Sequence, residues 1–160
     1  DELIFSDDDQ PMEAVVLELC RQQGLSLGAA ESLTGGLIGS RVTAIPGASD
    51  TFRGGIVSYA SDVKYELLGV PKGPVVSEEA VIAMAEGAAD VLGADVTVAV
   101  TGVAGPEPQE GQEVGRVWMA TNIKGDVETM TVKWPFDRDR IRSFTTITVL
   151  NQLRLRLLRR

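Results

Sequence analysis

Three separated stretches of this chain carry side chains that could do chemistry. In AAESLTGGLIGS, residues 29–40, a small-residue run ends in Glu31-Ser32, and Thr34-Gly35-Gly36 leads into an apolar, helix-like pattern. If a helix begins here, its first N–H groups have no partners inside the helix; with the helix dipole they attract an oxyanion or a phosphate. Glycines keep side chains away from a close ligand. The same residues also read as a Ser or Thr N-cap with glycines packed on a sheet. The second stretch, YASDVK, puts Tyr59 at a strand end and Lys64 on the helix that follows. A lysine serves as general base only when neutral, and desolvation favours the neutral amine. A surface lysine beside a core Tyr59 is the plainer alternative. Ser61 and Lys64 also match SxxK, which would make Ser61 the nucleophile. The companion SDN is absent, however, and Thr101-Gly102 follows Val100 rather than a lysine. The third stretch, VTGVAGP, ends a buried strand at Thr101-Gly102 and opens a polar loop of about eleven residues. Ligands of α/β sheets sit at the carboxyl ends of strands, and long loops often serve as lids there.

Other chemistry is excluded by composition. The chain has no histidine, so it contains no Ser-His-Asp triad, HExxH zinc site or histidine acid/base. Cys20 is its single cysteine, which rules out an intrachain disulfide and a cysteine-cluster metal site. A carboxylate metal site remains open, although no DxDxDG-type spacing points to one. The net charge of −8 is uneven: residues 1–132 hold 7 Lys/Arg and 21 Asp/Glu, residues 133–160 hold 8 and 2. An acidic body argues against nucleic acid as a partner. The basic end, RLRLLRR, reads mostly as a solvated helix face, with an anionic ligand or a neighbouring subunit as alternatives. No apolar run approaches the ~18 residues of a membrane span. The acidic start, DELIFSDDDQ, is no signal peptide, so a cytoplasmic location is expected. Without an initiator Met, the chain reads as a piece of a longer one.

These side chains must be positioned by one domain, since 160 residues at 44% hydrophobic build a single core. Residues 1–11 read as a flexible acidic extension. Met12, Val15, Val16, Leu19 and Cys20 follow helical spacing and stop at Gly24. LSLGAA is a short buried strand, and Ser32 is the expected N-cap of a helix reaching about Ala44. GGIVSYA, residues 54–60, reads as a strand and SDVKYELLG as a short helix. SEEAVIAMAEGAADVLG is a helix with acids in its first turn. DVTVAVTG is a strand. GRVWMATNIKGDVETMTVKW alternates and turns at Lys124-Gly125-Asp126, a hairpin. A last helix, from about Asp139 to Leu158, carries Ile141, Phe144, Ile147, Leu150 and Leu153 on one face. The order α-β-α-β-α-α-β-β-β-α predicts an α/β fold, three layers (α/β/α) with a mixed sheet. Apolar hairpin strands and the leucine-rich end favour a homo-oligomer.

AESLTGG, GGIVSYASDVKYELLGV, VSEEA, AVTGVAGP and FDRDRIR, in that order, resemble the C-terminal domain of the CinA (competence/damage-inducible protein) family from about Met12 onward. Stand-alone members of that family are nicotinamide mononucleotide (NMN) deamidases, and full-length members carry an N-terminal domain similar to molybdopterin-binding proteins. The resemblance implies a metal-free Ser/Lys amidase without a cofactor, converting NMN to nicotinate mononucleotide and ammonia. It places the nucleophile on Ser32, the base on Lys64 and a lysine-orienting or proton-relaying tyrosine on Tyr59. The family's TGxAGP motif falls on Thr101, Gly102 and Gly105, and the arginine of its GDR motif on Arg138. Backbone N–H groups from about Leu33 to Gly36 would hold the oxyanion. Thr34, the 101–105 loop, Arg138 or Arg142 would anchor the phosphate. Leu33 stands where the family carries Cys, and Phe136 where its GDR motif carries Gly. The rival expectation is a nucleotide-binding or regulatory domain that turns nothing over.

Overall fold

The computed structural model describes residues 10–160, so most of the expected acidic extension lies outside the described residues. Helix α1 (Met12–Gln22) leads to β1 (Leu27–Glu31), α2 (Leu37–Thr43), a 3₁₀ turn (Ala48–Asp50) and β2 (Phe52–Val57). Then come α3 (Ser61–Leu68), α4 (Glu78–Leu92), β3 (Val96–Gly102), β4 (Arg116–Ile123), β5 (Asp126–Lys133) and α5 (Arg138–Leu158). The expected order of helices and strands is the observed one.

The strands form one sheet in the order β2-β1-β3-β4-β5. β1 pairs in parallel with both β2 and β3, and β3-β4-β5 is an antiparallel meander. β1 and β3 are buried nearly throughout, as their unbroken apolar runs require of strands covered on both faces. Lys124 (φ 53°) and Gly125 (φ 92°) make the two-residue turn between β4 and β5, both in the left-handed conformation that suits the twist of a hairpin. One face of the sheet packs Val98, Val100 and Met119 against Val16, Cys20, Ile38, Ile141, Leu150 and Leu153 of α1, α2 and α5. The other sets Ala30, Ala99 and Ala120 against Leu68 of α3 and Ala80, Met84 and Ala88 of α4. The small residues of that second face bring α4 close. Gly87 in particular admits the end of α3, where any Cβ would lie 2.0 Å from the Leu68 carbonyl oxygen.

The structure shifts four expected features. β2 runs from Phe52 to Val57, so Gly54-Gly55 lie inside the strand and Tyr59 in the connection after it. α2 starts only at Leu37, capped by left-handed Gly36 (φ 108°) and not by Ser32. Phe144 points outward, 39% exposed, and stacks at 4.8 Å on Phe136, which in turn stacks on Trp134. The apolar side chains of β4, Val117, Met119 and Ile123, are core residues of this chain, so this strand does not argue for an oligomer. Among the described residues no helix is long and apolar enough to cross a membrane.

Candidate active site

Because β1, β2 and β3 are parallel, their carboxyl ends share one edge of the sheet. The chain leaves β1 over the α1/α2/α5 face and β2 over the α3/α4 face, which opens a crevice at the strand ends. A cleft of about 510 Å³ lies there, within the usual range of ligand pockets. It is lined by Ser32 and Leu33 after β1, Tyr59, Ser61 and Lys64 after β2, Thr101 to Gly105 at the end of β3 and just beyond it, Val75, Val76 and Arg138. The structure thus gathers the three sequence stretches into one site.

Lys64 is among the largest fully buried side chains, at 1% exposure. Its Nζ donates to the backbone carbonyls of Ser58 (2.7 Å) and Tyr59 (3.2 Å). Burial pushes its pKa down from 10.5 to about 8, while the Glu110 carboxylate pulls it upward. Two of its protons are therefore engaged. The remaining position on the nitrogen, a proton in the ammonium and a lone pair in the amine, has no protein partner among the described residues. Ser32 lines the same cleft as this amine. Glu31 pairs with Val57, so the next residues, Ser32 and Ser58, leave adjacent strands side by side. The Ser58 N–H donates to the Glu31 carbonyl at 2.8 Å and fixes that spacing.

Ser32 is 7% exposed, lines the cleft, and its hydroxyl has no hydrogen-bond partner among the described residues. The corner that holds it is organised by Glu31, a residue whose part sequence reasoning missed. Its buried carboxylate accepts from Thr34 Oγ1 (2.6 Å) and from the N–H groups of Gly36 (3.1 Å), Ile38 (3.0 Å) and Gly39 (2.9 Å). The carboxylate fills the mouth of α2, the place expected to receive a ligand's negative charge. The N–H groups of Gly35 and Leu37 are also taken, by the carbonyls of Ser32 and Thr34. Of the expected donors, only the N–H groups of Leu33 and Thr34 have no partner among the described residues. This narrows the expected oxyanion donors, Leu33 to Gly36, to the two residues directly after Ser32. Thr34 is fully buried on Glu31 and cannot anchor a phosphate. Thr34, Gly35, Gly36 and Arg142 do not line the cleft. Arg142 braces the corner from α5 instead, donating to the carbonyls of Leu33 (2.9 Å) and Thr34 (3.2 Å). Leu33 both packs in the core cluster and lines the cleft.

The far wall comes from β3 and the loop after it. Thr101 Oγ1 donates to the Val75 carbonyl at 2.7 Å and is thereby occupied. Gly102 admits the neighbouring strand: a Cβ would lie 2.8 Å from the Arg116 carbonyl oxygen. The Gly105 carbonyl accepts from Arg138, whose other terminal nitrogen donates to the Tyr59 hydroxyl at 2.9 Å. The Tyr59 hydroxyl therefore orients Arg138, and only the Tyr59 backbone carbonyl touches Lys64. Arg138 is an exposed guanidinium at the cleft mouth, placed by the Asp137 cap of α5. Phe136 does not displace it, being drawn aside into the aromatic stack. Ser61, the first residue of α3, is also in the lining.

A model of the CinA C-terminal domain matches residues 9–157. The chain is 44% identical to a CinA-like protein of Frankia casuarinae, over 94% of this chain and 36% of that protein. A CinA-like protein of Geobacter metallireducens is 43% identical over 97% of this chain and 39% of its own length. The chain thus spans less than two-fifths of these relatives. Among solved structures, a competence or damage-inducible protein from Enterobacter asburiae superposes with a TM-score of 0.89 at 30% identity, covering 91% of this chain and 96% of that one. A CinA superfamily protein from Klebsiella pneumoniae does so at 0.87 and 28%, covering 94% and 100%. With the motifs, the sheet order and the strand-end cleft in place, the match over nearly its whole length makes this chain a member of the CinA family, in its C-terminal domain.

Proposed function

We propose that this domain is an amidohydrolase that converts NMN to nicotinate mononucleotide and ammonia, with Ser32 as nucleophile and Lys64 as base. The observation that carries the reading is Lys64, a buried amine with a depressed pKa, sharing a cleft with an unbonded serine hydroxyl. Neutral Lys64 takes the Ser32 proton as Oγ bonds to the carboxamide carbon, and the carbonyl electrons pass to oxygen. The unbonded N–H of Leu33, a residue of the cleft lining, is the donor available to that oxyanion; one such donor is typically worth ~3 kcal/mol. The ammonium of Lys64 returns its proton to the leaving nitrogen, the C–N bond breaks and ammonia departs. Water, deprotonated by the same amine, then attacks the acyl carbon and restores Ser32. Arg138, held by Tyr59 and Gly105, is the cation available at the cleft mouth for the 5′-phosphate.

Ammonia release from NMN tests the assignment. Ser32→Ala and Lys64→Met are each expected to lower kcat about a thousandfold or more. Ser61→Ala, which removes the SxxK hydroxyl, should keep most of the rate. An inactive Ser61→Ala beside an active Ser32→Ala would move the nucleophile to α3. Stabilisation by NMN without any ammonia would leave the non-catalytic rival.

A further inference from the structure

The loop between β3 and β4, residues 103–115, forms the outer wall of the cleft, and one side chain ties its tip down. The base of the loop is closed by backbone bonds between Val103 and Arg116 (2.9 Å) and between Gly115 and Val103 (2.8 Å). Its tip is closed by mutual bonds between Gln109 and Gln112 (3.1 and 2.7 Å). The two residues between them, Glu110 (φ 55°) and Gly111 (φ 75°), both have left-handed backbone. A two-residue turn of this kind favours Asn, Asp or Gly at its first position, and glutamate there is strained. Turn geometry therefore does not account for Glu110; its side chain does. The carboxylate accepts from the N–H of Val75 (3.0 Å to each oxygen) and of Val76 (3.0 Å). The Val75 carbonyl is held from the other side by Thr101. The Val75 backbone is thus clamped between the end of β3 and the loop tip, and Val75 and Val76 both line the cleft.

We propose that Glu110 is a positioning residue, a latch whose carboxylate seats the 103–115 loop against Val75 and Val76 and so sets the wall of the cleft facing Lys64. Nothing in the latch depends on which substrate the cleft takes; its effect on turnover rests on the amidase reading above. The Glu110 charge also favours the protonated form of Lys64, so the latch couples loop position to the readiness of the amine. Besides Lys64, the charged or titratable side chains that line the cleft are Tyr59, Glu107 and Arg138.

Amide hydrogen exchange on the domain without substrate tests the latch directly. Glu110→Gln keeps the length of the side chain and removes its charge. Glu110→Asn suits the turn better but is too short to reach Val75. Exchange at Val75 and Val76 is expected to quicken about tenfold in Glu110→Asn and by less in Glu110→Gln, with β1 and β3 core amides unchanged. Unchanged exchange at both amides in both variants would overturn the proposal. In NMN turnover, Glu110→Gln should raise KM and move the acid limb of the pH–rate profile downward, as loss of an anion near Lys64 requires. A purely structural role would leave that limb in place. If the amides respond but no variant, nor the parent, releases ammonia, the latch stands and the amidase reading falls.

Discussion

At Lys64, geometry and electrostatics make opposing demands. A lysine that donates to two carbonyls gains from its charge, yet burial disfavours the charge and the group ends near a pKa of about 8. For a base that must be neutral, the rate of NMN hydrolysis should climb with pH and level off above about 8, and a profile flat from pH 6 to 9 would contradict the assignment. The same shift acts on stability. Between about 8 and 10.5 the unfolded chain keeps the proton that the folded chain has lost, so this residue makes the fold more stable as pH rises through that window. Urea unfolding of the parent and Lys64→Met at pH 7.5 and 10 isolates the effect. The parent should gain relative to the variant at the higher pH; a loss instead would mean that the fold stabilises the ammonium and that burial does not depress the pKa of Lys64. Tyr59 belongs to this scale too. Its hydroxyl touches Arg138 and not the lysine, so Tyr59→Phe should raise KM for the phosphorylated substrate more than it lowers kcat.

At the scale of elements, the corner between β1 and α2 shows what sequence patterns disclose and what they hide. Continuous apolar runs placed β1 and β3, alternation placed the hairpin, and Ser77 before an acidic first turn marked the start of α4, where it does accept from the Ala80 N–H at 3.1 Å. The motifs at strand ends converged because parallel strands carry their carboxyl ends to one edge. The cap of α2 was not legible. Hydroxyls at 32 and 34 drew the reading towards a Ser or Thr N-cap, whereas the acceptor is a carboxylate reaching forward from the last residue of the strand. An acid closing an all-buried strand, ahead of a helix whose N-cap is Gly36, is the signal that was there to be used. Glu110 was hidden for a related reason: its partners are backbone N–H groups 34 and 35 residues away. Arg142, read as a phosphate ligand, is a brace because α5 lies behind the corner. Glu31→Ala would leave three N–H groups and the Thr34 hydroxyl without their acceptor. It should cost about 3 kcal/mol or more in urea unfolding, with Glu31→Gln in between. A loss under 1 kcal/mol would show that water replaces the carboxylate readily, and that the corner is looser than its bonds suggest.

At the scale of the whole molecule, the uneven charge resolves within the fold. The basic end of α5 does not simply face solvent, as a charge run usually does. Arg156 is 6% exposed and lies under the hairpin. Its guanidinium donates to the Thr121 carbonyl at 2.7 Å and pairs with Asp126 (3.0 Å) and Glu128 (3.2 Å) of β5. Arg159 adds a contact to Glu128 at 3.3 Å, and Gln23 at the end of α1 bonds to the Leu157 carbonyl at 2.8 Å. The last turns of the chain thus tie its final helix to the meander on one side and to its first helix on the other. Asp126 and Glu128 are mostly exposed, with side chains at 78% and 54%, so water screens their part of the pairing. The buried partner should carry the energy. Arg156→Met is expected to cost about 3 kcal/mol, because it strips the donor from the Thr121 carbonyl and hydroxyl under the helix. Asp126→Ala should cost less than about 1 kcal/mol and lose most of that in high salt. Equal losses for the two variants would mean that the exposed ion pair, and not the buried hydrogen bonds, fastens α5 to the sheet.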